Sequence, residues 1–321
     1  MFLAILIVAV GYALYWLGSI YNVIVVDNGS WVGSISKAVF GEKEEDKPDF
    51  FPMPSSEPNR YDVLILGIRG MDQKEIEEEG GLLTDTILMA SVDKINKKAA
   101  LISIHRDFYV EMAGVKGKIN EVYERGLEKG SGITLVKEVV SKISGIFIDK
   151  VIVFDFDAFR SIVEEMDGID IYLAKPFKEA NQWGYEFNLP AGNNHLNGEE
   201  ALYYARSRFS TSDFDRARRQ QDLIVAIKNK AVKGGYLTNP LKISGLLSSL
   251  KENVRTDIQI WDIKDLIDLA GSLGQKTEIK KYVLSIDNIL LETKTAQGEY
   301  ILQPKDDGYQ EIKNVFKNIF Q

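Results

Sequence analysis

Short apolar runs alternate with helical patterns through the middle of the chain, and this alternation limits the fold more than any other feature. Five runs have the length and composition of buried strands: 62–67, 86–92, 99–104, 150–154 and 169–173. Helical periodicity separates several of them, at 133–144 and 156–166. Because strands that alternate with helices have both faces covered, the pattern predicts an α/β sandwich around a buried sheet.

The chain after residue 190 has a mainly helical pattern. Residues 197–200 (NGEE) have the composition of a helix start, since carboxylates are favoured in the first turn. Further helices are predicted at about 215–232 and at 257–274. The C-terminal part is predicted to hold a strand at 282–286, a turn at 304–308 and a closing helix at 309–319.

The first 26 residues contain no charged side chain. A membrane-spanning helix needs about 20 apolar residues, and aromatic rings are suited to a membrane interface. Such rings occur at Tyr12, Tyr15, Trp16 and Tyr21. We expect a retained single-pass anchor rather than a cleaved signal peptide, because the segment has no basic leader and no clear small-residue cleavage site. A buried core helix is the alternative.

A proline-rich stretch separates this predicted anchor from the first predicted strand. Residues 41–60 hold four prolines and a mixed run of charges, which disfavour regular structure. We therefore predict an anchor over 1–26, a linker over 27–59 and a folded core over 60–235. Residues 236–321 are predicted to supply helices and a strand that either complete this core or are appended to it.

The composition excludes several classes of function. The 321 residues include no cysteine, which excludes disulfides, thiol catalysis and zinc sites built from cysteine. A formal net charge of -8 argues against a broad nucleic-acid-binding surface. A phosphate site in this chain must therefore be local.

Five of the 11 arginines lie within 14 residues, in the segment YYARSRFSTSDFDRARRQ. They are Arg206, Arg208, Arg216, Arg218 and Arg219. Guanidinium groups stay charged and bind phosphate through paired hydrogen bonds. An acidic chain that concentrates them is expected to bind a polyanion, and diphosphate is the leading candidate.

The helix predicted from residue 215 places part of this cluster on one face. At about 100° per residue, that face carries Arg216, Arg219, Gln220, Leu223 and Ile227. Arg218 lies on the opposite side and is expected to face solvent. The helix N-terminus also favours anions, and Asp213 and Asp215 are candidates to cap it. A surface helix held by salt bridges is the alternative.

Two loops next to predicted strands carry further candidate ligands. Arg106 follows the strand at 99–104, at an edge where α/β sheets bind ligands, although a surface ion pair is equally open. Ser103, His105 and Asp107 would form a row on one strand face, which disfavours a catalytic triad, whose members converge from separate elements. Asp85 suits Mg²⁺, which prefers carboxylate and phosphate oxygens; a turn or capping role is the alternative.

Together these segments resemble the LytR-CpsA-Psr family. The matching segments are DVLILGIRG, LLTDTILMASVD, ALISIHRDFYVE, GKINEVYERG and GEEALYYARSR…DFDRARRQQ, from about residue 60 to residue 233. The resemblance implies a three-layer α/β/α sandwich with a central mixed sheet, preceded by a transmembrane helix. It also implies a cell-membrane phosphotransferase with an extracellular catalytic domain. Such an enzyme moves a glycopolymer, such as teichoic acid or capsule, from a polyprenyl-diphosphate carrier to a cell-wall glycan, typically peptidoglycan, through a phosphodiester.

The resemblance also assigns roles to single residues. The positions that match the diphosphate ligands of the family are Arg106, Arg206, Arg208, Arg216 and Arg219, with Gln220 beside them. Asp85 matches a metal-ligand aspartate, so Mg²⁺ is the implied cofactor, with Mn²⁺ as a substitute. The lipid tail is expected in an apolar tunnel of the core, and no nucleic-acid partner is expected.

Three positions depart from the pattern of the family. Arg69 stands where the family commonly has a metal-ligand aspartate, and Asp72 is a candidate replacement. Leu83 stands where an arginine often occurs, so Arg69 is also a candidate diphosphate ligand. His105 replaces a usual proline, which is expected to change the stiffness of the loop more than its chemistry.

The expected reaction is an in-line phosphoryl transfer in which protein groups position the reactants and neutralise charge. Arg106 is expected to stabilise the transferred phosphate, and Asp107 and Asp213 are alternative acceptors for the proton of the attacking hydroxyl. Two other functions stay open. One is a non-catalytic binder or carrier of a prenyl-diphosphate-linked glycan, favoured by Arg69, and the other is a prenyl-diphosphate hydrolase.

Overall fold

The computed structural model describes residues 25–26, 52–71, 80–180, 182–236, 253–259, 277–306 and 308–321, together with isolated positions between 239 and 273. The strands are β1 (Val25–Val26), β2 (Arg60–Gly67), β3 (Thr86–Asp93), β4 (Lys98–Ser103), β5 (Tyr109–Met112), β6 (Val115–Lys118), β7 (Lys150–Phe154), β8 (Ile169–Leu173), β9 (Phe177–Glu179), β10 (Phe187–Leu189), β11 (Gly192–Leu196), β12 (Val254–Thr256), β13 (Ile279–Val283), β14 (Leu290–Lys294) and β15 (Tyr300–Pro304). The α-helices are α1 (Val122–Glu128), α2 (Gly132–Ser144), α3 (Phe156–Glu165), α4 (Gly198–Arg206), α5 (Asp213–Lys233) and α6 (Gln310–Lys317).

Seven strands form a mixed central sheet in the order β1-β12-β7-β2-β3-β4-β13. β2 is antiparallel to β3 and parallel to β7, and β3 is antiparallel to β4. The last strand, β13, adds in parallel to β4, so C-terminal residues supply one edge of the sheet. Four two-stranded sheets lie outside it, including the hairpins β9–β10 and β14–β15.

Helices cover both faces of this sheet. Alternate residues of β2 point to opposite layers, with Val63 and Ile65 in one hydrophobic core and Leu64 and Leu66 in the other. The first core is completed by residues of α3, α4 and α5, and the second by residues of α1, α2 and α6. Burial on both faces explains why the central strands are continuous apolar runs in the sequence. The predicted α/β fold with a mixed sheet is confirmed.

The strand predicted at 282–286 is displaced in the structure. β13 covers Ile279–Val283, because these residues pair in register with β4 from Ala99 to Ser103. Lys280 and Lys281 occupy exposed positions of this edge strand, so an apolar pattern could not reveal where it begins. Most residues of the helix predicted at 257–274 lie outside the described part of the chain.

The predicted anchor lies almost entirely outside the described residues. Its last two residues, Val25 and Val26, form the short strand β1 and pair with β12. In the part of the chain that the structure describes, no helix has both the length and the hydropathy needed to cross a bilayer. Of the predicted linker, residues 52–59 are described, and they precede the first residue of β2 without a helix or strand.

Candidate functional site

The site lies at one end of the central strands, where β2, β4 and β7 end and β3 begins. Because β3 runs antiparallel to β4, the residues before β3 meet the residues after β4. This places Asp85 against Arg106, and Arg106 Nη1 donates to Asp85 Oδ1 at 2.7 Å. Gly67 and Phe154, the last residues of the parallel strands β2 and β7, lie at the same edge. The topology thus brings together loops that are distant in the sequence.

The first turn of α5 adds two charged side chains to this pair. Asp213 Oδ2 accepts a hydrogen bond from Arg216 Nη2 at 3.0 Å and lies 3.3 Å from Arg106 Nε. Arg216 also donates to the backbone carbonyl of Asp85 at 3.3 Å. Arg216 is buried, which lowers the pKa of its guanidinium, and the charges of Asp213 and Asp85 oppose that effect. Asp85, Arg106, Asp213 and Arg216 therefore form one alternating cluster of charges, which we call the charged centre.

The cap of α5 differs from the prediction. Ser212 is the N-cap, and Asp215 completes a capping box with it, so the helix begins two residues earlier than predicted. Asp213 is not a cap, because its carboxylate turns toward the charged centre. Arg218 is exposed and pairs with Asp215 at 2.7 Å, on the solvent side where the helical periodicity placed it.

Residues 105–107 form a turn rather than a continued strand, since β4 ends at Ser103. The Asp107 N–H donates to His105 Nδ1 at 3.1 Å, which leaves the proton of the neutral imidazole on Nε2, 3.4 Å from Asp213 Oδ2. Burial lowers the pKa of His105, and the nearby carboxylates oppose this shift. Ser103 Oγ accepts from Gln221 Nε2 at 2.8 Å, so these residues do not form a catalytic triad.

Three carboxylates surround Arg106, and their chemistry fits a divalent metal ion. The ligand atoms of His105, Asp107 and Asp213 lie within 4.8 Å of one another, and Asp85 adds a further carboxylate. Oxygen donors beside a phosphate site suit Mg²⁺ or Mn²⁺, with Asp85, Asp107 and Asp213 as the residues that would hold it. Asp72, the other predicted ligand, lies outside the described residues.

Two buried polar atoms near the charged centre have no hydrogen-bond partner within the described residues: Arg106 Nε and Asn120 Oδ1. Asn120 is fixed beside Arg106, because its N–H donates to the Arg106 carbonyl at 3.3 Å. The carbonyl of Asn120 accepts from the Thr84 N–H at 2.9 Å. A buried polar atom without a hydrogen bond costs about 1–3 kcal/mol, which applies to Asn120 Oδ1. Arg106 Nε is compensated in part by the charge of Asp213 at 3.3 Å, and both atoms are suited to a ligand that supplies the missing bonds.

Arg206 extends the positive charge toward the end of α4. Its guanidinium carbon lies 4.2 Å from the centre of the Phe156 ring and 5.0 Å from that of Trp183. Burial lowers the pKa of Arg206, and the positive charge of Arg69 lowers it further. The Arg69 N–H donates to the Gly81 carbonyl at 3.2 Å, which places the Arg69 loop beside the segment that contains Leu83.

Arg208 lies in the turn between α4 and α5, and Arg219, in the second turn of α5, contacts that turn. The Arg208 N–H donates to Gln182 Oε1 at 2.7 Å, and the charge of Arg208 acts on Arg216. Arg219 is buried, and its guanidinium donates to the carbonyls of Tyr204 and Ser207 and to the hydroxyl of Thr211. The role of Arg219 as a diphosphate ligand stays a prediction, and in this structure its donors are occupied by protein groups. The helical periodicity gave the face correctly, but the carbonyls of the turn occupy the donors.

An apolar cavity opens beside the charged groups. It lies between the sheet and the helices α3, α4 and α5, and its empty volume is about 500 Å³, including the part that is open to solvent. Its apolar lining includes Phe159, Leu202 and Leu223, and Arg206 and Gln220 line the same cavity. Gln220 Nε2 also lies 3.4 Å from the Ala205 carbonyl. A positively charged entrance and an apolar interior are thus joined in one space.

Three residues of the site were not among the predicted ligands. Lys118 Nζ pairs with Asp107 Oδ1 at 2.8 Å, and Asn120 lies two residues further on. Both occur in the segment GKINEVYERG, so that segment was the available signal. Tyr300 comes from the hairpin β14–β15, and burial together with Glu292 raises its pKa to about 12, with a smaller contribution from the site carboxylates. Only the fold brings Tyr300 to this edge.

A model of the LytR_cpsA_psr family matches residues 31–318. The chain belongs to the LytR-CpsA-Psr family. Among its relatives, the polyisoprenyl-teichoic acid–peptidoglycan teichoic acid transferase TagV of Bacillus subtilis (strain 168) is 32% identical over 210 residues. That alignment covers 63% of this chain and 51% of TagV, so the similarity spans about half of the relative.

Two further similarities within the LytR-CpsA-Psr family bear on the fold and the function. The regulatory protein MsrR of Staphylococcus aureus (strain COL) is 29% identical over 269 residues, which cover 82% of this chain and 76% of MsrR. The crystal structure of B. subtilis TagV is similar with a TM-score of 0.63 at 27% identity, covering 82% of this chain and 97% of that chain. The resemblance read from the sequence motifs is therefore confirmed at the level of family and fold.

Proposed function

We propose that this protein is a membrane-anchored phosphotransferase that moves a glycopolymer from a polyprenyl-diphosphate carrier to a hydroxyl of peptidoglycan. The observation that carries the proposal is the joining of a charged entrance to an apolar cavity of about 500 Å³. A prenyl diphosphate has the matching chemistry, since its diphosphate suits guanidinium groups and its tail suits an apolar space. TagV, a family member, is named as a teichoic acid transferase, which supports teichoic acid as the class of polymer.

The diphosphate would bind by replacing the carboxylate partners of the guanidinium groups. Arg106 and Arg216 hold Asp85 and Asp213 through ion pairs, and such pairs can exchange one anion for another. Arg106 Nε, which is buried without a hydrogen-bond partner among the described residues, is suited to a phosphate oxygen. Arg206 lies at the cavity entrance, where the diphosphate meets the first part of the tail. These groups would neutralise charge on the transferred phosphate.

The carboxylates released from these ion pairs would hold the metal ion. Asp85 and Asp213, the two carboxylates of these ion pairs, supply oxygen ligands that suit Mg²⁺ or Mn²⁺. A bound divalent ion supplies charge neutralisation at the diphosphate oxygens. The opening of the ion pairs in the charged centre is therefore part of the proposed binding step.

Asp107 is our choice as the acceptor of the proton from the attacking hydroxyl. Asp213 Oδ2 is shared among Arg106, Arg216 and the His105 imidazole. By contrast, Asp107 Oδ1 pairs with Lys118, and its Oδ2 lies 3.7 Å from Arg106 Nε. The Oδ2 atom of Asp107 is thus less closely paired with guanidinium groups than the Oδ2 atom of Asp213. In-line attack by the hydroxyl forms the new phosphodiester and releases the prenyl phosphate.

The proposed location is the outer face of the cell membrane, with a single span at the N-terminus. The support is the uncharged segment 1–26 and the nature of the acceptor, since peptidoglycan lies outside the membrane. Binding to nucleic acid is not part of the proposal, because the net charge of -8 opposes it.

A second candidate function is a non-catalytic binder or carrier of a prenyl-diphosphate-linked glycan. Arg69 at a position where the family commonly has an aspartate favours it, and so does the regulatory name of the relative MsrR. Prenyl-diphosphate hydrolysis, with water as the acceptor, is a third outcome that the same site would permit.

A single assay separates these functions. The full-length protein is incubated with a prenyl-diphosphate oligosaccharide, Mg²⁺ and a peptidoglycan oligomer, and mass spectrometry follows the phosphodiester product. We expect a product that requires Mg²⁺ and that Arg106→Ala does not form, while Arg218→Ala forms it normally. Binding without a product for any acceptor would establish the carrier instead, and release of prenyl phosphate without peptidoglycan would establish a hydrolase.

A further inference from the structure

A second cavity lies behind the first, in the same layer between the sheet and α5. It encloses about 350 Å³ of empty space, and its apolar lining includes Ile65, Ala90, Leu101 and Ile279. Ile224 lines both cavities, so one side chain stands at their junction. The second cavity therefore continues the first one away from the charged entrance.

The elements that line the two cavities run in the same direction. On α5 the lining passes from Gln220 at the entrance to Lys228 in the second cavity, which is about 12 Å at 1.5 Å per residue. On β3 it passes from Thr86 to Ala90, which is about 13 Å at 3.3 Å per residue. The second cavity therefore reaches about 12 Å beyond the entrance, and the shared residue Ile224 joins the two cavities into one path between the strand and the helix.

Among the residues described, Lys228 is the charged one in the lining of the second cavity. Its side chain is buried, with 3% of the residue exposed, although lysine is among the residues least often buried without a partner. Its ammonium donates to the Thr277 carbonyl at 3.4 Å, at the long end of hydrogen-bond distances. Among the described residues no carboxylate pairs with it, and burial lowers its pKa. Burying an ammonium group at this depth costs free energy unless it is paired or well hydrogen-bonded.

We propose that Lys228 closes the inner end of the path and sets the length of prenyl chain that the path accepts. This inference rests on the proposed function, because it takes the chain to be the tail of a prenyl diphosphate bound at the charged entrance. Each carbon that enters an apolar space adds affinity, whereas a carbon pressed against a polar nitrogen adds none and displaces its hydrogen bond. Affinity should therefore rise with chain length and stop rising where the tail meets Lys228.

The test measures how affinity depends on chain length. The full-length protein in lipid nanodiscs is titrated with geranyl, farnesyl, geranylgeranyl and longer prenyl diphosphates by calorimetry. For the native chain we expect affinity to increase with length and then level off. In Lys228→Met, which has a similar length and no charge, we expect the levelling to move to a longer chain. The first chain beyond the native limit should bind about 10-fold more tightly or better.

Two further variants sharpen the test. Lys230→Met is the matched control, because Lys230 lies on the same helix but donates at its surface to the Asp167 carbonyl at 3.0 Å. It should leave the length profile unchanged. Ile224→Phe should narrow the junction and move the limit to a shorter chain, which tests the path independently if Lys228→Met folds poorly.

The outcomes separate this inference from the proposed function. An unchanged length limit in both Lys228→Met and Ile224→Phe would overturn the inference while leaving diphosphate binding intact. Failure of every prenyl diphosphate to bind would overturn the proposed function as well. Failure of glycopolymer transfer with a shifted limit would overturn the transferase alone.

Discussion

Arginine side chains have different kinds of partner in the charged centre and at the α4–α5 turn. In the charged centre, Arg106 and Arg216 pair with the carboxylates of Asp85 and Asp213. In the turn, Arg219 donates to the backbone carbonyls of Tyr204 and Ser207. Arg216 and Arg219 are one helical turn apart and equally buried, at 6% exposed, so burial does not distinguish them.

The difference lies in what each partner can do. A carboxylate can leave a guanidinium and bind a metal ion, and its place can be taken by a phosphate. A backbone carbonyl cannot leave without unfolding the turn, and a buried carbonyl without a donor is costly. The charged centre is thus a site whose ion pairs can be exchanged, whereas Arg219 holds the turn that positions Arg206 and Arg208. Four expected results test this division, from the largest effect to the smallest.

Arg219→Met should have the largest effect, and it should be an effect on stability. The substitution removes the donors of two buried carbonyls and leaves an apolar chain of similar length, so we expect a loss of about 2–5 kcal/mol in the free energy of unfolding. Denaturant unfolding of the full-length protein measures it. A loss below about 1 kcal/mol would break the comparison, because Arg219 would then be as replaceable as the residues of the charged centre.

Arg106→Ala should reduce glycopolymer transfer by about 100- to 1000-fold, by analogy with other preorganised electrostatic contacts. Its free energy of unfolding should change little, because the carboxylates of Asp85 and Asp213 are partly exposed and regain water. Steady-state transfer rates and thermal unfolding, measured on the same preparation, check both parts. Large destabilisation with unchanged transfer by the folded fraction would place Arg106 with Arg219 instead.

Asp155→Asn extends the comparison to a carboxylate whose partners are backbone N–H groups rather than guanidinium groups. Asp155 caps α3 by accepting from the Ala158 N–H at 2.8 Å, and burial raises its pKa from 3.8 to about 6. Because the pKa of Asp155 is higher in the folded state than in the unfolded state, the free energy of unfolding decreases as pH rises from about 4 to 6. Asparagine keeps the cap without the charge, so the variant should gain about 1–3 kcal/mol above pH 6.

The pH dependence separates this effect from a general change in stability. Unfolding measured at several pH values should give nearly equal stabilities for the native chain and Asp155→Asn below about pH 4. The difference should then grow up to about pH 6 and remain constant above it. A gain that is the same at every pH would mean that the charge of Asp155 is not its cause.

Arg218→Met should have the smallest effect. Arg218 lies between Arg216 and Arg219 in the helical turn, but it is exposed and its ion pair with Asp215 is screened by water. We expect a change below about 0.5 kcal/mol in unfolding and no change in transfer. A substantial loss of either would contradict the division of the arginines by their partners.

Much of the fold was predictable because its signals are local. The central strand β7 is buried on both faces and appears as a continuous apolar run, so it was located at its observed bounds. β8, in a two-stranded sheet outside the central one, alternates buried and exposed residues and was also located at its observed bounds. The edge strand β13 was misplaced, because Lys280 and Lys281 interrupt its apolar pattern and its bounds depend on pairing with β4.

The site was predictable as a set of residues but not as an arrangement. Helical periodicity separated Arg218 from Arg216 and Arg219, which the structure reproduces. It could not separate Arg216 from Arg219, because their partners come from the loop before β3 and from the last turn of α4. Asn120 illustrates the same limit, since its unpaired oxygen becomes apparent only when tertiary contacts place it beside Arg106.

The most direct test is a crystal structure of the complex with farnesyl diphosphate and Mg²⁺. We expect Arg106 and Arg216 to contact phosphate oxygens, and the ion pairs with Asp85 and Asp213, now 2.7 Å and 3.0 Å long, to open beyond 4 Å as the carboxylates turn to the metal. Arg219 should keep its bonds to the carbonyls of Tyr204 and Ser207. A bound diphosphate with both ion pairs intact, or one held by Arg219, would contradict the exchange of partners at the charged centre.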